Sequence, residues 1–433
     1  MWKRLILIFP FLMLVGCASK QSYTEIVAPE LTALNIIDRN GLSETISTQE
    51  RVVQYQCVDF LQPQPYQKVL RIFGRDPQGN ISSCINSYHP NGQPKQYLEI
   101  VNARAYGRYA EWYANGCMKI DSTVIGGAPD IDDKSTATWL FEGGSKAWAE
   151  NGCLEAEFWY VKGQLSGLAT YYHANGSIWK VIPYQCNQIN GTMQVYLDNG
   201  QLFQTIGYLQ GIKHGATTRY WRADLIASQE IYNQGLLESG FYCDGQGAVI
   251  AEIAAGKGLR AVFGKQGVSE LQTYNNGVLD GKVELFDEWG GLVEQYFIKN
   301  DLKHGEEIQY YGTPFFSNAA ACPTKPIPKL SITWYEGKIQ GLVKTWYENG
   351  CQESQKEISH NCKNGLLSAW YRDGSLMLLE EYDHDKLIKG DYFKRGDKYP
   401  LSQVHHGKGT ATIFDSYGNF MRKVNYHQGR LAD

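Results

Sequence analysis

The sequence predicts an all-β chain, an antiparallel β-hairpin repeat array, and three observations carry that prediction. A glycine–aromatic–glycine motif recurs, its leading glycines repeat in steps of 24 residues, and Asn-Gly pairs fall at one fixed place in the step. Composition agrees: 29 Tyr, 11 Trp and 16 Phe stand beside 45 Gly but only 14 Pro. Abundant aromatics with abundant glycine suit many short strands joined by tight turns.

The motif reads glycine, four residues, an aromatic, three residues, glycine. Copies include Gly107/Trp112/Gly116, Gly143/Trp148/Gly152, Gly167/Tyr172/Gly176, Gly191/Tyr196/Gly200, Gly258/Phe263/Gly267 and Gly281/Phe286/Gly290. Gly341/Trp346/Gly350, Gly365/Trp370/Gly374 and Gly409/Phe414/Gly418 complete the intact set. Gly215/Tyr220/Asp224 and Gly305/Tyr310/Pro314 lose the last glycine, and a degenerate copy lies near Ser239 to Gly245. Leading glycines at 143, 167, 191 and 215 set the step, and 281/305 and 341/365 repeat it.

Twenty-four residues hold two strands and two turns. The run from Leu342 to Tyr347 is rich in β-formers and of ordinary strand length. It ends on Asn349-Gly350, a strong hairpin signal because both residues tolerate positive φ. The other turn reads Gly-x-x-x-Gly, as in Gly163 to Gly167 and Gly337 to Gly341. A lone hairpin is marginal in water, so the copies are expected to stack into one sheet, each buried against its neighbours. The motif aromatics then align as a stripe that mostly fills a thin core.

These motifs resemble the variant class of MORN repeats. The likeness is closest at Tyr172-His173-Ala174-Asn175-Gly176 and Trp346-Tyr347-Glu348-Asn349-Gly350, and spans roughly residues 66–433. It implies a single-sheet solenoid of antiparallel hairpins; some bacterial members are labelled antitoxins of the YwqK type. The repeat itself carries no chemistry, so the resemblance speaks to fold more than to function.

Residues 18–50 lack the repeat, and 17–65 are expected to form a tether and irregular lead-in with a short helix near Ser43 to Arg51. Insertions are expected near 126–136, 313–330 and 383–406; the Pro-rich middle one reads as a loop. Residues 1–16 read as a signal peptide: Lys3 and Arg4, an apolar run from Leu5 to Val15, then Gly16. Leu14-Val15-Gly16-Cys17 resembles the lipobox of bacterial lipoproteins. That resemblance implies acylation of Cys17, an anchor holding the chain on a membrane. Ala18 in place of aspartate implies outer-membrane sorting in the cell envelope.

Without Lys3 and Arg4 the chain carries 39 basic and 45 acidic residues, a net charge of −6. Interspersed charges of that balance argue against a nucleic-acid partner. In a compartment that permits disulfides, Cys117–Cys153, Cys322–Cys351 and Cys57–Cys84 are reasonable pairings. No C-x-x-C pair, G-x-S-x-G elbow or glycosidase-type carboxylate pair stands out. Gly256 to Lys265 imitates a phosphate loop, but five residues separate Gly258 from Gly264 and Gln266 replaces the Ser or Thr. His405-His406 would point to opposite faces of a strand, so neither a metal nor a cofactor is expected. The expectation is a non-catalytic, lipid-anchored module that binds a protein, with cell-wall glycan binding or an antitoxin/immunity role as alternatives.

Overall fold

A computed structural model describes residues 30–265, 267–312 and 325–432. Strands dominate: 35 of them lie among the described residues, all pairing antiparallel, against two α-helices of four residues each. None of the described helices is long and apolar enough to cross a membrane. The chain divides into two compact units, residues up to Met118 with Thr123–Trp139, and Lys119–Ser122 with Leu140–Asp433.

The first unit corrects the expected tether. Strand Leu31–Asp38 pairs with Ser43–Ile46 on one side and Tyr66–Arg75 on the other. Leu34, Ile46, Val52, Phe60 and Val69 are buried together. The lead-in lacks the glycine frame, yet Leu34 and Ile36 flanking Asn35 keep the period of two that a half-buried strand needs. The expected helix shrinks to Gln49–Val52 with a 3-10 turn at Val53–Tyr55, because Ser43–Ile46 joins the sheet. The insertion near 126–136 carries the helix Asp133–Thr136, which Asp132 caps by accepting from the Lys134 and Ser135 amides at 2.9 Å.

In the second unit the ladder is unbroken from strand Phe141–Trp148 to strand Arg430–Ala432. The two turn types are exchanged relative to the sequence reading. At the Asn-Gly end only glycine has positive φ, as at Gly350 (84°), while Asn349 does not. The Gly350 amide donates to Tyr347 O and the Tyr347 amide to Cys351 O, each at 2.9 Å. That is a three-residue loop, a type I turn ending on a left-handed glycine. The two-residue turns lie at the other end. Val161 pairs directly with Gln164 across Lys162-Gly163, whose φ angles of 49° and 81° are those a type I′ turn demands.

All eleven leading glycines have φ between 71° and 150°. At Gly258 space reinforces conformation, since a Cβ there would stand 2.1 Å from Glu252 O.

The insertion expected at 383–406 is mostly another hairpin. Strands Leu376–Asp383, Lys386–Tyr392 and Ser402–His405 keep the ladder running, leaving 393–401 as the loop. The middle insertion is shorter than expected, since Pro328 already pairs with Tyr310; residues 313–324 lie outside the described residues.

At two places three successive hairpin ends close on one another. The Leu237 amide donates to Gly277 O, the Gly277 amide to Gly256 O and the Gly256 amide to Glu238 O, at 2.8–3.0 Å. Leu387, Gly429, Gly407 and Ile388 repeat the ring. Core clusters of the second unit sit inside these corners, around Leu237, Tyr242 and Ile253 and around Leu387, Tyr392 and Val404. Each such side chain contributes about 1.5–3 kcal/mol by burial.

Candidate binding surface

Two aromatic stripes emerge where one was expected. The motif aromatics line the three-residue-loop end, but only Phe263 and Phe414 are buried, and Trp148, Tyr172, Tyr196, Trp346 and Trp370 remain half-exposed. A second stripe pairs directly with the leading glycines: Tyr160 opposite Gly143, Tyr184 opposite Gly167, Tyr208 opposite Gly191, Tyr232 opposite Gly215. Tyr382 and Tyr426 continue it opposite Gly365 and Gly409. The signal that could have found it is a tyrosine 17 residues after each of these glycines.

The residue after the motif aromatic acts as a staple. His173 Nε2 lies 3.0 Å from Tyr196 O, Tyr347 OH donates to Trp370 O at 2.8 Å, and Tyr371 OH donates to Phe393 O at 2.8 Å. The turn asparagine adds a second tie, Asn175 Nδ2 to Asp198 O at 2.8 Å and Asn349 Nδ2 to Arg372 O at 2.9 Å. Each net hydrogen bond contributes about 1 kcal/mol, so the turn edge is held hairpin to hairpin.

Between residues 156 and 222 the tyrosine-stripe face is open and aromatic. Lys180, Val195, Gln204 and Arg219 lie side by side across successive strands. The register shifts between Tyr171 and Tyr172 and between Val195 and Tyr196 leave Trp179 and Phe203 as extra, bulged residues beside that row. Phe158 meets Tyr171 edge to face at 5.6 Å, and Tyr171 meets Trp179 at 6.4 Å. Lys180 Nζ stands 4.2 Å from the Trp179 ring centre, and the Arg219 guanidinium 5.0 Å from that of Phe203. Trp179 is 42% exposed.

Next to this open stretch, the first corner is sealed by charge. Glu230, 3% exposed, accepts from Arg260 Nε at 2.7 Å, Tyr242 OH at 2.8 Å and Tyr232 OH at 3.0 Å. Burial alone would raise the Glu230 carboxyl. The Arg260 charge and the three hydrogen bonds outweigh it and hold the group below the usual carboxylate range. Burial pushes both tyrosine hydroxyls well up, and the carboxylate pushes them further. The second corner repeats the pattern: Glu380 accepts from Tyr392 OH at 2.7 Å and Tyr382 OH at 3.0 Å. There Ala411, fully buried, follows Gly409 by two residues as Arg260 follows Gly258. These networks leave no local signal in the sequence, since their members are spread over several strands. The geometry is that of structural clamps.

A groove of about 820 Å³ adjoins the first corner, lined by Ile250, Val268, Leu271, Phe286 and Trp289, with Lys265 at its wall. Trp289 is 66% exposed.

The proposed disulfides do not form among the described residues. Cys57, Cys84, Cys117, Cys153 and Cys351 are free thiols. Cys57 is exposed, whereas Cys84 is buried within strand Ile81–Tyr88, where burial lifts its thiol to about 11. The Cys117 and Cys153 amides donate to Asn115 and Asn151 Oδ1, holding each residue at the foot of its own turn. Cys17 and Cys322 lie outside the described residues.

Residues 165–185 match the MORN repeat variant family. The match begins just after the turn Lys162-Gly163 and covers strand Gly167–Tyr172, the Asn175-Gly176 loop and strand Ile178–Gln185. No curated protein matches the chain.

Proposed function

We propose that this protein is a non-catalytic scaffold of a bacterial cell envelope, anchored by acyl chains on Cys17, that binds another protein through the open aromatic face of its repeat sheet. The observation that carries the reading is the contiguous row Phe158–Tyr171–Trp179, left half-exposed on a rigid ladder. Further along the same sheet Tyr232 and Tyr382, the stripe positions that correspond to Tyr160, Tyr184 and Tyr208, are clamped by buried carboxylates. Aromatic side chains with restricted rotamers are the usual anchors of protein interfaces. MORN-type repeats and a repeat sheet suit such a role.

Two measurements test the two halves. Metabolic palmitate labelling should mark the wild-type chain and not Cys17→Ser; equal labelling would remove the anchor. Affinity capture from envelopes after crosslinking should recover one protein near stoichiometry from wild type and much less from Trp179→Ala. A glycan is the second reading, favoured by Trp289 standing exposed at the rim of the groove. Cosedimentation with purified cell wall, lost in Trp289→Ala, would support it over a protein partner.

A further inference from the structure

We propose that the face formed by residues 167–222 docks an acidic segment of a partner protein that also presents apolar side chains. The inference deepens the protein-scaffold reading and rests on it. Charge is the first argument. Residues 167–222 contain Lys180, Lys213, Arg219 and Arg222 but a single carboxylate, Asp198, a net +3 within a chain whose net charge is −4. Asp198 lies in an exposed turn, and its carbonyl is already tied by Asn175. Strand alternation places Lys180 and Arg219 on one face with Tyr171, Tyr184 and Tyr208.

Geometry separates the cations. Arg219 is committed inward, donating to Phe263 O at 2.7 Å. Lys213 leans on the Tyr232 ring at 4.9 Å near Glu230, and Arg222 lies 3.3 Å from Asp224. Lys180, half-buried, pairs with no carboxylate among the described residues and rests on the exposed Trp179. A cation fixed over an aromatic ring is preorganised for an incoming carboxylate, and the ring supplies apolar contact beside it.

The same placement argues against a sugar ring as occupant. Stacking a sugar on Trp179 needs a free indole face, and Lys180 Nζ covers one at 4.2 Å. Half-exposed Tyr171 and the bulged Trp179 supply the apolar surface beside the charged centre, as protein interfaces have an apolar core with few charges.

The test is a fluorescence-anisotropy titration of the full mature chain with a labelled synthetic peptide alternating Glu with Leu and Phe. Polygalacturonate serves as the anionic polysaccharide, and a Lys-for-Glu peptide as the reversed charge. The peptide should bind, weaken several-fold between ~50 and ~500 mM salt, and lose about tenfold in affinity in both Lys180→Glu and Trp179→Ala. Lys408→Glu, outside the face, should bind as wild type, and unchanged circular dichroism shows that the variants fold. Tighter binding of polygalacturonate, equal binding of the Lys peptide, insensitivity to both variants, or no binding at all would overturn the proposal. A photo-crosslinker placed at Gln204, in the same row as Lys180 and with Trp179 intact, separates this inference from the broader one in native envelopes. A protein adduct through a segment without acidic residues leaves the scaffold reading standing and removes this one. The absence of any protein adduct removes both.

Discussion

Replacing Arg260 by alanine isolates the buried charge clamp of the first corner. Arg260 and Glu230 side chains are 22% and 4% exposed and meet at 2.7 Å. Removing one partner of a buried ion pair costs about 3–5 kcal/mol, because the remaining charge is left in a poor solvent. Glu230 keeps the hydroxyls of Tyr242 and Tyr232, and Glu380 in the second corner is held by two hydroxyls alone with Ala411 nearby. The cost should therefore sit near the lower limit, about 3 kcal/mol. The carboxyl of Glu230 is depressed in the folded chain. Its stabilising contribution is therefore complete above its unfolded value, about 4.3, and is lost as pH falls through the lower folded value. Wild type and Arg260→Ala should differ fully near neutral pH and converge in acid. Urea unfolding followed by tyrosine fluorescence gives the difference, and hydrogen exchange over residues 228–274 localises it, since repeat arrays need not unfold in one step. A loss below about 1 kcal/mol, or a gap that stays constant into acid, would refute the clamp.

Glycine substitutions should separate strain from collision. Gly374→Ala, at φ 83° with open space around it, should cost about 1–2 kcal/mol, whereas Gly258→Ala, whose Cβ would meet Glu252 O at 2.1 Å, should cost more; thermal melts rank them, and equal losses would contradict the close-approach argument. Tyr347→Phe removes only the hydroxyl that reaches Trp370 O, so a loss of about 1 kcal/mol is expected by urea titration, with faster amide exchange in the adjoining turns. Alkylation at mildly alkaline pH should label exposed Cys57 and Cys186 quickly, while Cys84, raised to about 11 and buried, reacts only on unfolding. Mass mapping that finds Cys57 joined to Cys84 would contradict the free thiols.

The repeat was legible because it is local: a glycine that needs positive φ and a turn that needs Asn-Gly recur at fixed spacing whatever lies around them. Gly167 and Gly350 illustrate this, since backbone conformation alone selects them. Turn type was misread because Asn349 was credited with positive φ, when its side chain instead accepts from the Cys351 amide at 2.9 Å and reaches Arg372 O. The lead-in was misread because strand Leu31–Asp38 owes its place to pairing with Tyr66–Arg75, a partner distant in sequence. The same limit hid Glu230 and Arg260, thirty residues apart and joined only by folding. The open aromatic face was half legible. Its residues are plain in the sequence, but which of them stay uncovered depends on whether a carboxylate such as Glu380 seals them.

Site-specific photo-crosslinking in native envelopes addresses the central claim most directly, with the probe placed in turn at Gln204 on the open face and at Lys408 away from it. The account predicts one dominant protein adduct from position 204, absent from position 408 and diminished when Lys180 is also changed to Glu. Equal adducts from both positions, or cell-wall fragments and no protein from position 204, would contradict it.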